Sequence, residues 1–178
     1  GGAIGMEAAA RAAPDGYTIV LALTAQLAVN VSLYKKLPYD PVRDYAPITL
    51  LATGPYLLVV HPSLPVRSVK ELVALARARP GEITYASSGN GSGGHLAVEL
   101  LKTMTGTKML HIPYKGGGPA LVDVLAGQVQ VLFTTYASSR GHIQAGRLRV
   151  LGVSTAKRPA AIPDMTTIAE AGVPGYDS

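Results

Sequence analysis

Cysteine and tryptophan are absent from this 178-residue sequence, and phenylalanine occurs once. Without thiols there are no disulfides, no thiolate nucleophile and no Cys-ligated metal. The compartment stays open on this count. The four histidines, His61, His95, His111 and His142, show neither H-x-x-x-H nor H-E-x-x-H spacing, so no metal site and no metal cofactor is expected. Neither G-x-x-x-x-G-K-[ST] nor G-x-S-x-G occurs, which removes the main signals for an NTPase and for a serine hydrolase. Ser88, His95 and Asp123 assemble into a triad only on paper, because nothing in their spacing selects them. No apolar run approaches the roughly 20 residues that cross a bilayer, so the chain is not expected to be membrane-embedded. Charge is sparse, with 16 Lys plus Arg against 11 Asp plus Glu. The excess is scattered, its densest points being Arg77, Arg79 and the pair Lys35, Lys36. It reads first as a solvated basic surface and, more sharply, as attraction for small anions. Nucleic acid is not expected, since basic runs with interleaved aromatics are lacking.

What is present is a regular alternation of short apolar runs and amphipathic helices. Glycine (20) and proline (13) lie singly between these runs, the pattern of many short turns in one ordinary domain or two small ones. The sequence opens on "GGAIGMEAAARAAPDGY", without an initiator Met and part-way into a helical pattern. It lacks the form of a secretory leader and reads as a piece with something removed upstream. The run "YTIVLAL" (17–23) has the composition of a strand buried on both faces, and another strand is expected near Ile48–Ala52. From there the unit strand, turn, helix repeats: "YLLVVH" with "SVKELVALARA", "ITYAS" with "GHLAVELLKTMTG", "MLHIPY" with "GPALVDVLAGQ", and "VQVLFTTY" with "SSRGHIQAG". A last strand, "LRVLGVST", follows. Ser68 with Glu71, and Thr167 with Glu170, have capping-box spacing. Gly106, Gly127 and Gly146 fall where helices end. The pattern predicts α/β units around a mostly parallel sheet.

In such sheets ligands bind beyond the carboxyl ends of the strands. Attention therefore falls on the loops Thr24–Leu27, Ser87–Gly94, Lys115–Gly118 and Thr134–Ser139. Gly89, Gly91 and Gly94 form a G-x-G-x-x-G, yet the acidic residue expected about 20 positions on to hold a dinucleotide ribose is missing. The next strand instead ends in Tyr114 and Lys115. A more general anion cradle remains, with backbone N–H groups at a helix N-terminus and hydroxyl or amide donors from Ser87, Ser88, Asn90 and Ser92. A capped turn holding only water fits the isolated loop equally well. The second cluster, Gly116–Gly118 before Pro119, adds another unobstructed helix N-terminus beside Lys115. His95 reads as a first-turn helix residue that packs or orients the first loop.

The strings "AAPDGYTIVL", "NVSLYKKLPYDPVRDYAPI", "YASSGNGSGGHLAVEL", "HIPYKGGGPALVDVLAGQV" and "AKRPAAIPDMTTIAEAGVPGY", in that order and nearly end to end, resemble the tripartite tricarboxylate transporter substrate-binding proteins, the Bug family. The resemblance implies a two-lobed α/β fold of the type II periplasmic binding-protein class, and a periplasmic receptor that delivers a small carboxylate to a membrane permease. It implies no enzyme activity and no cofactor. Carried onto this sequence, the ligand-binding residues are Thr24, Ala25 and Gln26; Ser87, Ser88, Gly89, Asn90, Gly91, Ser92 and Gly93; Lys115, Gly116 and Gly117; and Thr134. Members normally begin with a further strand and glycine-rich loop that supplies the opposing half of the clamp, and continue beyond "GVPGY" with helices of the first lobe. The expectation is therefore a truncated first lobe (1–55), a nearly complete second lobe (56–153) and a segment that returns into the first lobe (154–178). Hinges are expected near Thr53–Pro55 and Val153–Ala156. Where members often have an acidic residue, this chain has Thr134 and Thr135, which favours an acid without an amino group. An α/β enzyme binding a nucleotide or phosphorylated substrate is the alternative. The effector-sensing half of a transcription regulator is a third reading, disfavoured by the lack of a helix-turn-helix segment.

Overall fold

The structure, a computed structural model, describes residues 2–178; Gly1 lies outside the described residues. Five strands form one sheet: β1 (Tyr56–Val60), β2 (Thr84–Ser87), β3 (Leu110–Pro113), β4 (Val131–Thr135) and β5 (Arg149–Val153), in the spatial order β3-β2-β4-β1-β5. Each coincides with an apolar run of the sequence. Between them come α3 (Val69–Ala78), α4 (Gly93–Thr105), α5 (Gly117–Leu125) and α6 (Tyr136–Gln144). Earlier in the chain, α1 spans Ala3–Ala10, and a π-helical turn at Ala25–Val29 runs directly into α2 (Asn30–Leu33).

The sheet is mixed where a mostly parallel one was expected. β2 runs parallel to β3 and β4, but β1 lies antiparallel to both β4 and β5. The physical reason is placement. β1 and β2 do not pair, so the helix between them imposes no parallel crossover, and β1 fills the gap left where the chain passes from β4 through α6 to β5. Both faces of the sheet are covered, which explains the continuous apolar runs. On one face Leu58, Val60, Tyr85, Phe133 and Leu151 pack with Leu72 of α3, Val98 and Leu101 of α4, and Ile168, Val173 and Tyr176. On the other, Leu57, Val59, Ala86, Leu132 and Val153 meet Ala120 and Val124 of α5.

Local signals set the ends of these elements. Ser68 Oγ accepts the Glu71 N–H at 3.2 Å and so caps α3. Thr167 and Glu170 exchange both bonds of a capping box at 3.0 Å, but on a turn and not on a helix. The segment after β5 stays on the same body. Its Tyr176 is fully buried and donates to the Ala97 carbonyl at 2.8 Å.

Two expected strands do not form. Residues 17–23 and 48–52 are neither helix nor strand, and their apolar side chains face outward: Tyr17 is 92% exposed, Ile19 79%, Ile48 81% and Leu50 77%. No neighbouring strand takes up their backbone groups among the described residues, and β propensity without a partner does not make a strand.

Candidate functional site

The carboxyl ends of β2, β3 and β4 and the amino end of antiparallel β1 share one rim of the sheet, since Tyr56 pairs with Thr135 and Ser87 with Pro113. The 13-residue helix α4 begins at this rim. Its cap, Ser92, is extended and accepts the His95 N–H at 3.3 Å. The amides of Gly93 and Gly94 follow in the first turn, where a helix offers them no internal acceptor and concentrates partial positive charge. Glycine at these two positions permits close packing. A Cβ on Gly93 would meet the Tyr56 hydroxyl at 2.5 Å, and one on Gly94 the Phe133 carbonyl oxygen at 3.0 Å. The missing side chains let the helix start sit directly on β1 and β4.

The turn leading into α4 is tied down from below. Ser87 is buried at the end of β2, and its Oγ accepts the Gly89 N–H at 3.1 Å while standing 2.6 Å from His111 Nε2. Ser92 N–H donates to the Gly89 carbonyl at 3.1 Å, closing the turn, and Gly91 N–H donates to His95 Nδ1 at 3.1 Å. Gly91 has φ 75°, in the left-handed region, and its vacant Cβ position lies 2.6 Å from Leu33 of α2. Ser88 and Asn90 are exposed at the top of the turn.

The other residues singled out in the sequence divide. The Lys115–Gly117 turn adjoins the first: Tyr114 N–H donates to the Ser87 carbonyl at 3.0 Å, and a Cβ on Gly89 would meet the Tyr114 carbonyl at 3.3 Å. Gly116 is the uncapped N-cap of α5, with open space at Gly116 and Gly117, and Lys115 is exposed. Thr134, half-buried near the end of β4, pairs with Leu57. Thr24 and Ala25 begin the helical segment whose far end, through Val29 and Leu33, lies against Gly91. Gln26 lies beside the start of α1. Its Oε1 accepts the Leu23 N–H at 2.8 Å, and its amide fills the space beside Gly2 at the start of α1.

Sequence reasoning missed Tyr56, Ser154 and His111. Ser154 Oγ accepts the Tyr56 N–H at 3.1 Å. A tyrosine opening an apolar run and a histidine inside a strand carry no motif, so only the sheet order reveals them. His111 belongs to a stack: its ring lies 4.2 Å from that of His95 and 4.7 Å from that of Tyr85. The Tyr85 hydroxyl donates to Glu99 Oε1, which Lys102 Nζ also approaches at 2.6 Å. Burial, and then the Glu99 hydrogen bond, push the Tyr85 phenol far above its ordinary range. Burial pushes both imidazoles below theirs, with the neighbouring His95 adding to the effect on His111. Tyr114, through burial and then its 2.6 Å bond to Asp123, is pushed up to about 12.

This rim can receive an anion through backbone and hydroxyl donors with almost no formal charge. It is an open surface. Two cavities, of about 300 and 250 Å³, lie elsewhere, one against Lys70, Arg77 and Gly172, the other against Ser63, Arg79 and Gln130. No group of three or more His, Asp or Glu side chains suited to a metal ion occurs among the described residues. No described helix is long and apolar enough to cross a membrane.

The family model described as "Tripartite tricarboxylate transporter family receptor" matches residues 1–178. Protein BugT of Bordetella pertussis is 40% identical over 177 residues, which are 99% of this chain and 54% of BugT. Among solved structures, R. palustris Rpa4515 with adipate superposes with a TM-score of 0.96 at 42% identity, over 99% of this chain and 59% of that one. The periplasmic binding protein BugD superposes at 0.91 and 33% identity, over 100% of this chain and 59% of BugD. The chain thus spans about half the length of the curated relatives it matches. Its fold is part of a periplasmic binding-protein fold, and what is matched is a family of receptors, not of enzymes.

Proposed function

This chain belongs to the tripartite tricarboxylate transporter receptor family, and from that membership we propose that it is the ligand-holding part of a periplasmic receptor that captures a small carboxylate and hands it to a tripartite transporter permease. The observation that carries the proposal is the start of α4. There Gly93 and Gly94 bring a helix N-terminus against β1 and β4, beside a turn built from Ser87 to Ser92. A carboxylate placed there accepts hydrogen bonds from amides whose dipole is already oriented toward it. Such donors neutralise the charge without selecting the remainder of the molecule. The adipate-bound neighbour supports the choice of ligand class.

In this proposal Ser87, Ser88, Gly89, Asn90, Gly91, Ser92 and Gly93 form one wall, and Lys115, Gly116 and Gly117 extend it. Thr134 lies at the β4 end of the rim, paired with Leu57, and Thr24, Ala25 and Gln26 approach from the first lobe. Residues 1–55 are then the first-lobe piece, 56–153 the second lobe, and 154–178 the segment that returns into the first lobe after packing on the second through Ile168, Val173 and Tyr176. Closure about 53–55 and 153–156 would shift the population toward the form the permease meets.

Thermal melting of the protein against mono- and dicarboxylates, aromatic acids, acidic amino acids, NAD and ATP tests this. A carboxylate at 100 times its dissociation constant is expected to add about 2.7 kcal/mol of apparent stability. Stabilisation by a nucleotide and by no carboxylate would overturn the proposal in favour of a nucleotide enzyme.

A further inference from the structure

We propose that His95 is the positioning residue of the Ser87–Gly93 turn and that it makes the shape of this turn depend on proton concentration. The Gly91 N–H can only donate, so the nitrogen that receives it at 3.1 Å, His95 Nδ1, must present a lone pair. A neutral imidazole with its proton on Nε2 meets that condition. An imidazolium does not, because both of its nitrogens are donors. A proton on Nδ1 would set two N–H groups against each other next to Gly91, a residue buried in a left-handed conformation under Leu33. The turn then has to open or turn that amide elsewhere.

The surroundings of the ring hold it neutral. From β3, His111 stacks on it at 4.2 Å with 21° between the planes, so a charge on one ring weakens the basicity of the other. From β2, Tyr85 lies parallel at 6.4 Å. From α4 itself come Glu99 and Lys102, and the Glu99 carboxylate is engaged by both the Tyr85 hydroxyl and the Lys102 ammonium. Burial lowers the His95 pKa below 6.5, with Glu99 opposing and Lys102 reinforcing that shift. The open turn therefore binds a proton more readily than the packed one. The packed turn is therefore fully favoured above pH 6.5 and loses that advantage as pH falls from there toward the lowered value.

The test is an NMR titration of the ¹⁵N-labelled protein from pH 7.5 to 5.0, following the His95 and His111 imidazoles and the Gly91 amide. The Gly91 amide is expected to shift along the His95 titration curve, with a midpoint below that of a free histidine. In His95→Asn, whose carbonyl oxygen takes the place of Nδ1 and does not titrate, the Gly91 amide is expected to stay put. The inference is overturned if Gly91 is unmoved while His95 titrates, if His111 alone takes the proton, or if His95→Asn follows the wild-type curve. The wild-type titration decides the matter even if a variant fails to fold. That the turn so governed is the carboxylate site rests on the function proposed above, and calorimetry with adipate at pH 7.5 reads it separately. His95→Leu is expected to weaken adipate binding about tenfold and His95→Asn to keep it; equal affinity in all three proteins overturns the positioning role. If wild type binds no carboxylate the functional proposal fails, while the Gly91 titration still decides the role of His95.

Discussion

"YTIVLAL" at 17–23 and "YLLVV" at 56–60 are nearly the same sentence in amino acids, and they have opposite fates. In the second, Leu57, Leu58, Val59 and Val60 are all 0% exposed, paired on both edges by β4 and β5 and covered on both faces by helices. In the first, Leu21 is 73% and Leu23 63% exposed, and the backbone forms no ladder. A β-branched apolar run states a need for neighbours, and the sheet is the place where that need is met. Residues 2–52 are instead held by a few polar contacts. Tyr39 donates to the Gln26 carbonyl at 2.7 Å, Tyr45 donates to the Met6 carbonyl at 2.6 Å, and the two rings meet edge to face.

The largest effect that would break this comparison is a core deletion. Leu58→Ala removes a side chain packed into the centre of β1, and is expected to cost about 3 kcal/mol by thermal or denaturant unfolding. Leu21→Ala, the same chemical change in the exposed run, is expected to stay within about 0.5 kcal/mol. Equal losses at the two sites would mean that 17–23 is covered in solution.

This contrast also marks how far the sequence could be read. From residue 56 onward every strand and helix was legible, because period and punctuation agreed: Ser68 caps α3, Gly106 ends α4 in a left-handed turn, and each strand sits on a short, largely apolar run. The direction of β1 was not legible, since nothing within "YLLVV" tells whether its partners arrive by crossovers or from elsewhere. At the rim the glycine turns were legible as helix starts. The Rossmann-like spacing of Gly89, Gly91 and Gly94 proved to serve three local needs: a positive φ at Gly89, a left-handed turn under Leu33 at Gly91, and contact with Phe133 at Gly94. The stack of Tyr85, His95 and His111 was hidden because its members come from β2, α4 and β3.

Gly91 is a point where the two regions touch, and replacing it sharpens the comparison next. Gly91→Val places a β-branched residue at φ 75° with its Cβ against Leu33. The strain is expected to cost about 2 kcal/mol, less than the core deletion. It falls on the turn and on α2, while the buried face of α4, carried by Ala97, Val98 and Leu101, stays in place. Carboxylate binding is expected to disappear although circular dichroism reports the same helix and strand content. Retained affinity would show that the ligand is held elsewhere on the rim.

The smallest effect compares two hydroxyl residues that each stand before a helical segment, one in either region. Ser68 is extended at φ −146° and ψ 163°, the geometry that lets its Oγ take the Glu71 N–H. Ser68→Ala is expected to cost about 1 kcal/mol. Thr24 is already helical at φ −48° and ψ −37°, and its side chain makes no capping bond to the π-helical turn that follows. Thr24→Ala is therefore expected to change the melting temperature by no more than a few tenths of a kcal/mol in equivalent stability. If Thr24 reaches a bound carboxylate, the substitution weakens binding while stability stays level, so melting with and without ligand separates the two roles. A loss of stability matching that of Ser68→Ala would mean that Thr24 caps in solution, and that the first region is more firmly built than its exposed apolar run implies.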